Sequence, residues 1–112
     1  MTTFDEREQA YEAKLAHDEE LRFKANIRRT KWLGLWAAEK LGKTGKAADD
    51  YASGLITEQI EGNAPDGVFR KIRADFDAAD VAQSDHQIHR VIDELLAKAT
   101  QEVFAGVAKT TS

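Results

Sequence analysis

Residues 25–42 read Ala25-Asn26-Ile27-Arg28-Arg29-Thr30-Lys31-Trp32-Leu33-Gly34-Leu35-Trp36-Ala37-Ala38-Glu39-Lys40-Leu41-Gly42. Wound as an α-helix, Ile27, Trp32, Leu33, Leu35, Trp36 and Leu41 almost encircle the axis. A helix that is apolar nearly all round must be covered by others, so this one is central to a bundle. Gly42 is its stop, because a glycine just past the last apolar position takes the left-handed conformation that closes a final turn. Leu41-Gly42-Lys43-Thr44-Gly45-Lys46 is not a phosphate-binding loop: that motif needs Gly where Ala37 stands, and a strand in front.

Outward from this segment, the rest of the chain is also helical. There is 1 Pro, and no run alternates with period two. A second helix is predicted from about Gly45 to Glu61, with Tyr51, Leu55, Ile56 and Ile60 as its stripe. A third spans about Asp66 to Ala79, carrying Val68, Phe69, Ile72 and Phe76. The fourth starts at Ser84, where Ser84 and Gln87 have capping-box spacing, and ends near Gly106 before a Thr/Ser tail. Its core face is Ile88, Val91, Ile92, Leu95, Leu96, Ala99 and Val103, at steps of three and four. The expected fold is an all-α four-helix bundle.

The first helix runs from about Phe4 to Leu41, roughly 57 Å at ~1.5 Å per residue, while its companions reach only roughly 20 to 33 Å. Its N-terminal part therefore overhangs or is disordered. Phe4, Tyr11 and Leu15, spaced by seven and four, form one thin apolar stripe there among Asp5, Glu6, Glu8, Glu12 and Asp18. A lone helix of that length is marginal in water, so residues 1–18 are expected to be a frayed arm, 19–108 the bundle and 109–112 a disordered tail.

Composition bounds the function. The 112 residues hold 16 Lys+Arg and 20 Asp+Glu, a net charge of −4, and no Cys, which excludes disulfides and thiolate zinc sites. No apolar run is long enough to cross a membrane and the N-terminus lacks signal-peptide character, so a cytoplasmic protein without membrane contact of its own is expected. Charge is segregated: residues 1–20 carry −5, residues 21–46 carry +7, and residues 47–112 carry −6. The basic block includes Arg22, Lys24, Arg28, Arg29 and Lys31, candidates for nucleotide or partner contact. An acidic chain with one short basic stretch is a poor nucleic-acid binder.

His86 and His89, three apart beside Asp85, lack a third ligand for a metal, so none is assigned. Trp32 and Trp36, four apart, read as core, with an aromatic platform for an adenine base as the alternative. No nucleophile–base set or motif-placed carboxylate pair supports catalysis.

Three runs carry a resemblance: Thr3-Phe4-Asp5-Glu6-Arg7-Glu8, Ala16-His17-Asp18-Glu19-Glu20-Leu21-Arg22-Phe23-Lys24-Ala25 and Gly34-Leu35-Trp36-Ala37-Ala38-Glu39. With Phe69-Arg70-Lys71-Ile72-Arg73-Ala74-Asp75-Phe76 and Ser84-Asp85-His86-Gln87-Ile88, the chain resembles the zeta subunit of alphaproteobacterial F-type ATP synthase. The resemblance implies an inhibitor of ATP hydrolysis, not an enzyme. Its N-terminal segment would enter a catalytic interface and stop rotation in the hydrolytic direction. It also implies a partner, the catalytic head with its alpha, beta and gamma subunits, which would hold the chain at the cytoplasmic face of the membrane. Weak ADP or ATP binding is implied too, with no other cofactor, and the free chain is expected to be a monomer. Carried over by position, the inhibitory arm would use Phe4, Asp5, Arg7, Glu8, Tyr11, Lys14 and Leu15. The alternative reading is an adenine-nucleotide-binding regulatory or assembly protein.

Overall fold

The computed structural model describes the backbone of residues 3–62 and 64–111, and the side chains of residues 17–62 and 64–106. The chain folds as four helices: α1 (Thr3–Lys40), α2 (Gly45–Glu61), α3 (Gly67–Ala78) and α4 (Asp85–Thr111). No strand occurs among the described residues. Helix α1 packs along both α2 and α4, and α3 closes the bundle against α2 and α4. The encircled apolar pattern of residues 25–41 thus does make α1 the central helix.

The α1–α2 turn forms where the glycine stop is predicted. Gly42 sits at φ +78°. Its N–H donates to the Glu39 carbonyl at 3.0 Å, and the Lys43 N–H donates to the Ala38 carbonyl at 2.9 Å. This pair is a Schellman closure. Helix α3 ends the same way with Asp80 at φ +55°, the Val81 N–H donating to the Phe76 carbonyl at 2.9 Å. Aspartate tolerates that conformation better than most residues but carries no unique sequence signal for it. The capping box of α4 is also present. The Gln87 N–H donates to Ser84 Oγ at 3.1 Å and the Ser84 N–H donates to Gln87 Oε1 at 2.8 Å.

Leu33, Ala37, Leu55, Val68, Ile72, Phe76 and Ile88 form the main core, where all four helices meet. A second cluster, Leu21, Ala25, Ala99 and Val103, zips α1 to α4 and is flanked by Trp32. Leu21 is the first buried side chain described on α1; ahead of it Asp18 is half-buried and His17, Glu19 and Glu20 are exposed. The side chains of residues 1–16, on which the predicted fraying of the arm falls, lie outside those described.

Two expectations are corrected. Ile60 is 58% exposed. It lies about 80° round α2 from Ala52, outside the face turned to α1. Helix α4 continues to Thr111 instead of ending near Gly106. Gly106 keeps a helical backbone and is not among the residues with the positive φ that closes α1 at Gly42.

Polar bonds tie α3 to its neighbours. Tyr51 Oη donates to Asp75 Oδ2 at 2.7 Å, and Lys71 pairs with Asp75 Oδ1 at 2.9 Å. Arg73 donates to the Gln83 carbonyl at 2.6 Å and pairs with Asp77 and Asp85, pinning the loop that enters α4. Burial first, then the Asp75 hydrogen bond, push the Tyr51 phenol above its ordinary pKa. In the unfolded chain the phenol loses its proton near pH ~10, before the folded chain does, so stability should fall as pH rises above that value. Tyr51→Phe should lose about 1.5 kcal/mol at pH 7, the low end for a bond to a charged acceptor at a half-exposed site. It should also flatten the alkaline loss; denaturant melts at pH 8 and 11 check both.

Candidate partner-binding surface

The arm candidates Phe4, Asp5, Arg7, Glu8, Tyr11, Lys14 and Leu15 all fall outside the described side chains. What the structure places is the stretch of α1 just behind them, where the basic block begins.

The block is not one patch. Steps of four and three put Lys24, Arg28 and Lys31 on one stripe of α1, and a step of seven puts Arg22 and Arg29 on another. Lys24 pairs with Glu20 at 3.4 Å, and Arg28 reaches Glu102 of α4 at 3.5 Å. Both pairs are exposed, where screening leaves little net energy. Lys31 borders a shallow depression with Asp49, Ala52 and Ile56. Much of the positive charge on the first stripe therefore faces the protein's own carboxylates.

Arg22 and Arg29 differ. Neither has a carboxylate within 4 Å among the described residues, unlike Arg28, Arg70, Arg73 and Arg90. Arg29 is half-buried, and its Nε and Nη2 both donate to the buried Thr30 Oγ1, at 3.3 and 3.1 Å. Burial pulls its guanidinium pKa below the ordinary value, with Asp93 partly offsetting that.

Arg29 lines a groove of about 570 Å³ beside the α2–α3 connection. Asn26 and Arg29 of α1 form one wall, Gln59 and Glu58 of α2 another, and Phe69 of α3 with His89 and Ile92 of α4 the far side. Phe69 and His89 stack with ring centroids 4.2 Å apart and planes 14° from parallel. Gln59 Oε1 is buried there without a hydrogen-bond partner among the described residues. Sequence reasoning misses the groove, because its residues come from all four helices and from the α2–α3 connection. Gly62, which caps α2, and Pro65 are local signals of the connection but not of the groove.

The tryptophans separate. Trp36 meets Phe76 edge-on, with centroids 5.7 Å apart and planes at 62°. Trp32 packs on the α1–α4 cluster with Lys98 Nζ 4.9 Å above its ring. Both therefore serve packing, as their helical spacing implies. His86 and His89 are exposed on α4, and no group of three potential metal ligands occurs among the described residues. No described helix is long and apolar enough to cross a membrane.

A four-helix bundle with one long helix, two basic stripes and an open groove has the form of a helical binding module. The family model for ATPase inhibitor subunit zeta matches residues 1–102, and the chain belongs to that family. An inhibitor subunit is regulatory and not itself an enzyme, and its partner is an ATP synthase. No curated protein matches the chain.

Proposed function

We propose that this chain inhibits ATP hydrolysis by the catalytic head of an F-type ATP synthase, with residues 1–18 as the inhibitory arm and residues 19–108 as the bundle that presents it. The tail, 109–112, has no assigned part. The observation that carries the reading is the length of α1, 38 residues against 27 in the next longest helix, with Leu21 the first buried position among its described side chains. An amphipathic segment ahead of the core finds shelter by lying in a groove of another protein.

Phe4, Tyr11 and Leu15 are the anchors. Each contributes roughly 1.5–3 kcal/mol if fully buried. Ordering the arm costs about 2–5 kcal/mol, so the arm binds modestly on its own and the bundle adds contacts. Asp5 and Glu8 meet cations at the interface, and Arg7 and Lys14 meet carboxylates. A wedge between alpha and beta subunits, against the gamma rotor, blocks a turning step without chemistry. Rotation the other way expels it.

The test is ATP hydrolysis by isolated head titrated with the full chain: hydrolysis should fall while synthesis by the intact enzyme is spared. Phe4→Ala or Tyr11→Ala should raise the half-inhibitory concentration roughly tenfold or more. A chain that bound ATP but left hydrolysis untouched would be a nucleotide-binding assembly factor instead.

A further inference from the structure

We infer that the groove beside Arg29 is a second docking site, which takes an acidic peptide segment of the same synthase head that receives the arm. The inference rests on the proposed inhibitory role for the source of that segment and on the groove for its chemistry.

Three observations converge. First, Arg29 holds its guanidinium half-buried with Nη1 unclaimed and no carboxylate within 4 Å among the described residues. Such a group binds a carboxylate through charge-assisted hydrogen bonds. Second, Gln59 Oε1 lines the same groove, buried and without a donor among the described residues. A buried acceptor left unpaired is costly, and a backbone N–H of an incoming peptide relieves it. Third, the stacked Phe69 and His89 rings supply an apolar wall, and about 570 Å³ is within the range of pockets that hold short ligand segments.

The same residues disfavour a polyphosphate. Glu58 and Asp66, the latter paired with Arg70 at 2.9 Å, line the groove, and Arg29 is the one permanent cation among its lining residues. A multiply charged anion would meet two carboxylates, while one Asp or Glu side chain needs only the one guanidinium. Continuity points to the source. Positions 4, 11, 15, 22 and 29 follow at steps of seven, four, seven and seven, so the arm's stripe runs by helical spacing into Arg22 and Arg29. A partner gripping the arm along that stripe arrives at this groove.

The experiment follows backbone amide shifts of the full chain during titration with acetyl-Ala-Glu-Ala-amide, acetyl-Ala-Gln-Ala-amide or pyrophosphate. The Glu peptide should move Gln59, Phe69 and His89, and the other two should not. Arg29→Gln should abolish those shifts, Gln59→Leu should weaken them several-fold, and both variants should keep the wild-type amide pattern elsewhere. Silence at these residues, equal shifts with the Gln peptide, or stronger shifts with pyrophosphate would overturn the inference. In the hydrolysis assay Arg29→Gln should raise the half-inhibitory concentration about tenfold, with Arg29→Lys recovering part of it. Full inhibition by Arg29→Gln would remove the groove from the interface while leaving the arm in place. If the full chain itself failed to inhibit, the role would fall first, and the peptide titration would judge the groove alone.

Discussion

A chain lacking residues 1–16 should unfold as cooperatively as the whole protein yet no longer slow ATP hydrolysis by the synthase head. Among the described residues, both apolar clusters begin at or after Leu21, so the deletion leaves the contacts of Phe76, Leu33 and Ile72 untouched. Changes away from core contacts move stability by only about 0.5 kcal/mol each way. The inhibitory loss is of another order. Removing three apolar anchors, each worth roughly 1.5–3 kcal/mol when buried, should raise the half-inhibitory concentration by at least about 100-fold. Circular dichroism melts and the hydrolysis assay on the same preparation read the two effects separately. Undiminished inhibition would move the site to the bundle, and a broadened melt would make the arm part of the fold.

Gly34→Leu should have the largest effect on folding of any single change in α1. A Cβ at Gly34 would lie 2.6 Å from Ala52 Cα and 2.9 Å from Ala52 Cβ. The nearer atom is backbone, so no side-chain rotation relieves the clash, and α1 and α2 must separate. Ala52 and Leu55 are 3% and 1% exposed at that seam. Overpacking of a close seam costs about 1–3 kcal/mol even for a methyl, and a leucine exceeds that. Against a total of about 5–15 kcal/mol, Gly34→Leu should remove the cooperative transition and Gly34→Ala should lower its midpoint. Gly54→Ala is the control, since a Cβ there meets nothing within 4 Å. It should raise stability by about 0.5–1 kcal/mol through helix propensity. An unchanged melt for Gly34→Ala would mean that the helices are not in contact at this point.

These two glycines show what a single sequence can and cannot reveal. Both sit inside helical patterns, and nothing local distinguishes the one pressed on Ala52 from the one facing water. Periodicity is local, and it suffices to predict four helices, the glycine stop at Gly42 and the capping box at Ser84. It also places Val68, Ile72 and Phe76 on the buried face of α3, because spacing of three and four specifies a face directly. The edge of a face is less legible: Ile60 belongs to the α2 stripe by hydropathy, but it lies too far round the helix to reach α1. The end of α4 is misread because a glycine does not stop a helix by its presence alone: Gly106 keeps a helical backbone, whereas Gly42 turns left-handed. The groove is hidden for a further reason. Its polar features, Arg29 without a carboxylate within 4 Å and Gln59 without a donor among the described residues, are properties of pairing across helices rather than of spacing along one.

The basic block marks the same boundary. As a run of charge it reads as one patch, yet its position on α1 divides it into two stripes. Lys24 and Arg28 are paired with the protein's own acids, while Arg22 and Arg29 have no carboxylate within 4 Å among the described residues. Only the second stripe shares helical register with positions 4, 11 and 15.

The central claim is that the N-terminal end of α1 enters the catalytic head. A benzophenone side chain placed at position 11 of the full chain, irradiated with the head during ATP hydrolysis, tests it most directly. The expected product is a cross-link to a catalytic-interface subunit, absent when the label is moved to exposed position 60. Inhibition accompanied by cross-links from position 60 and none from position 11 would contradict it.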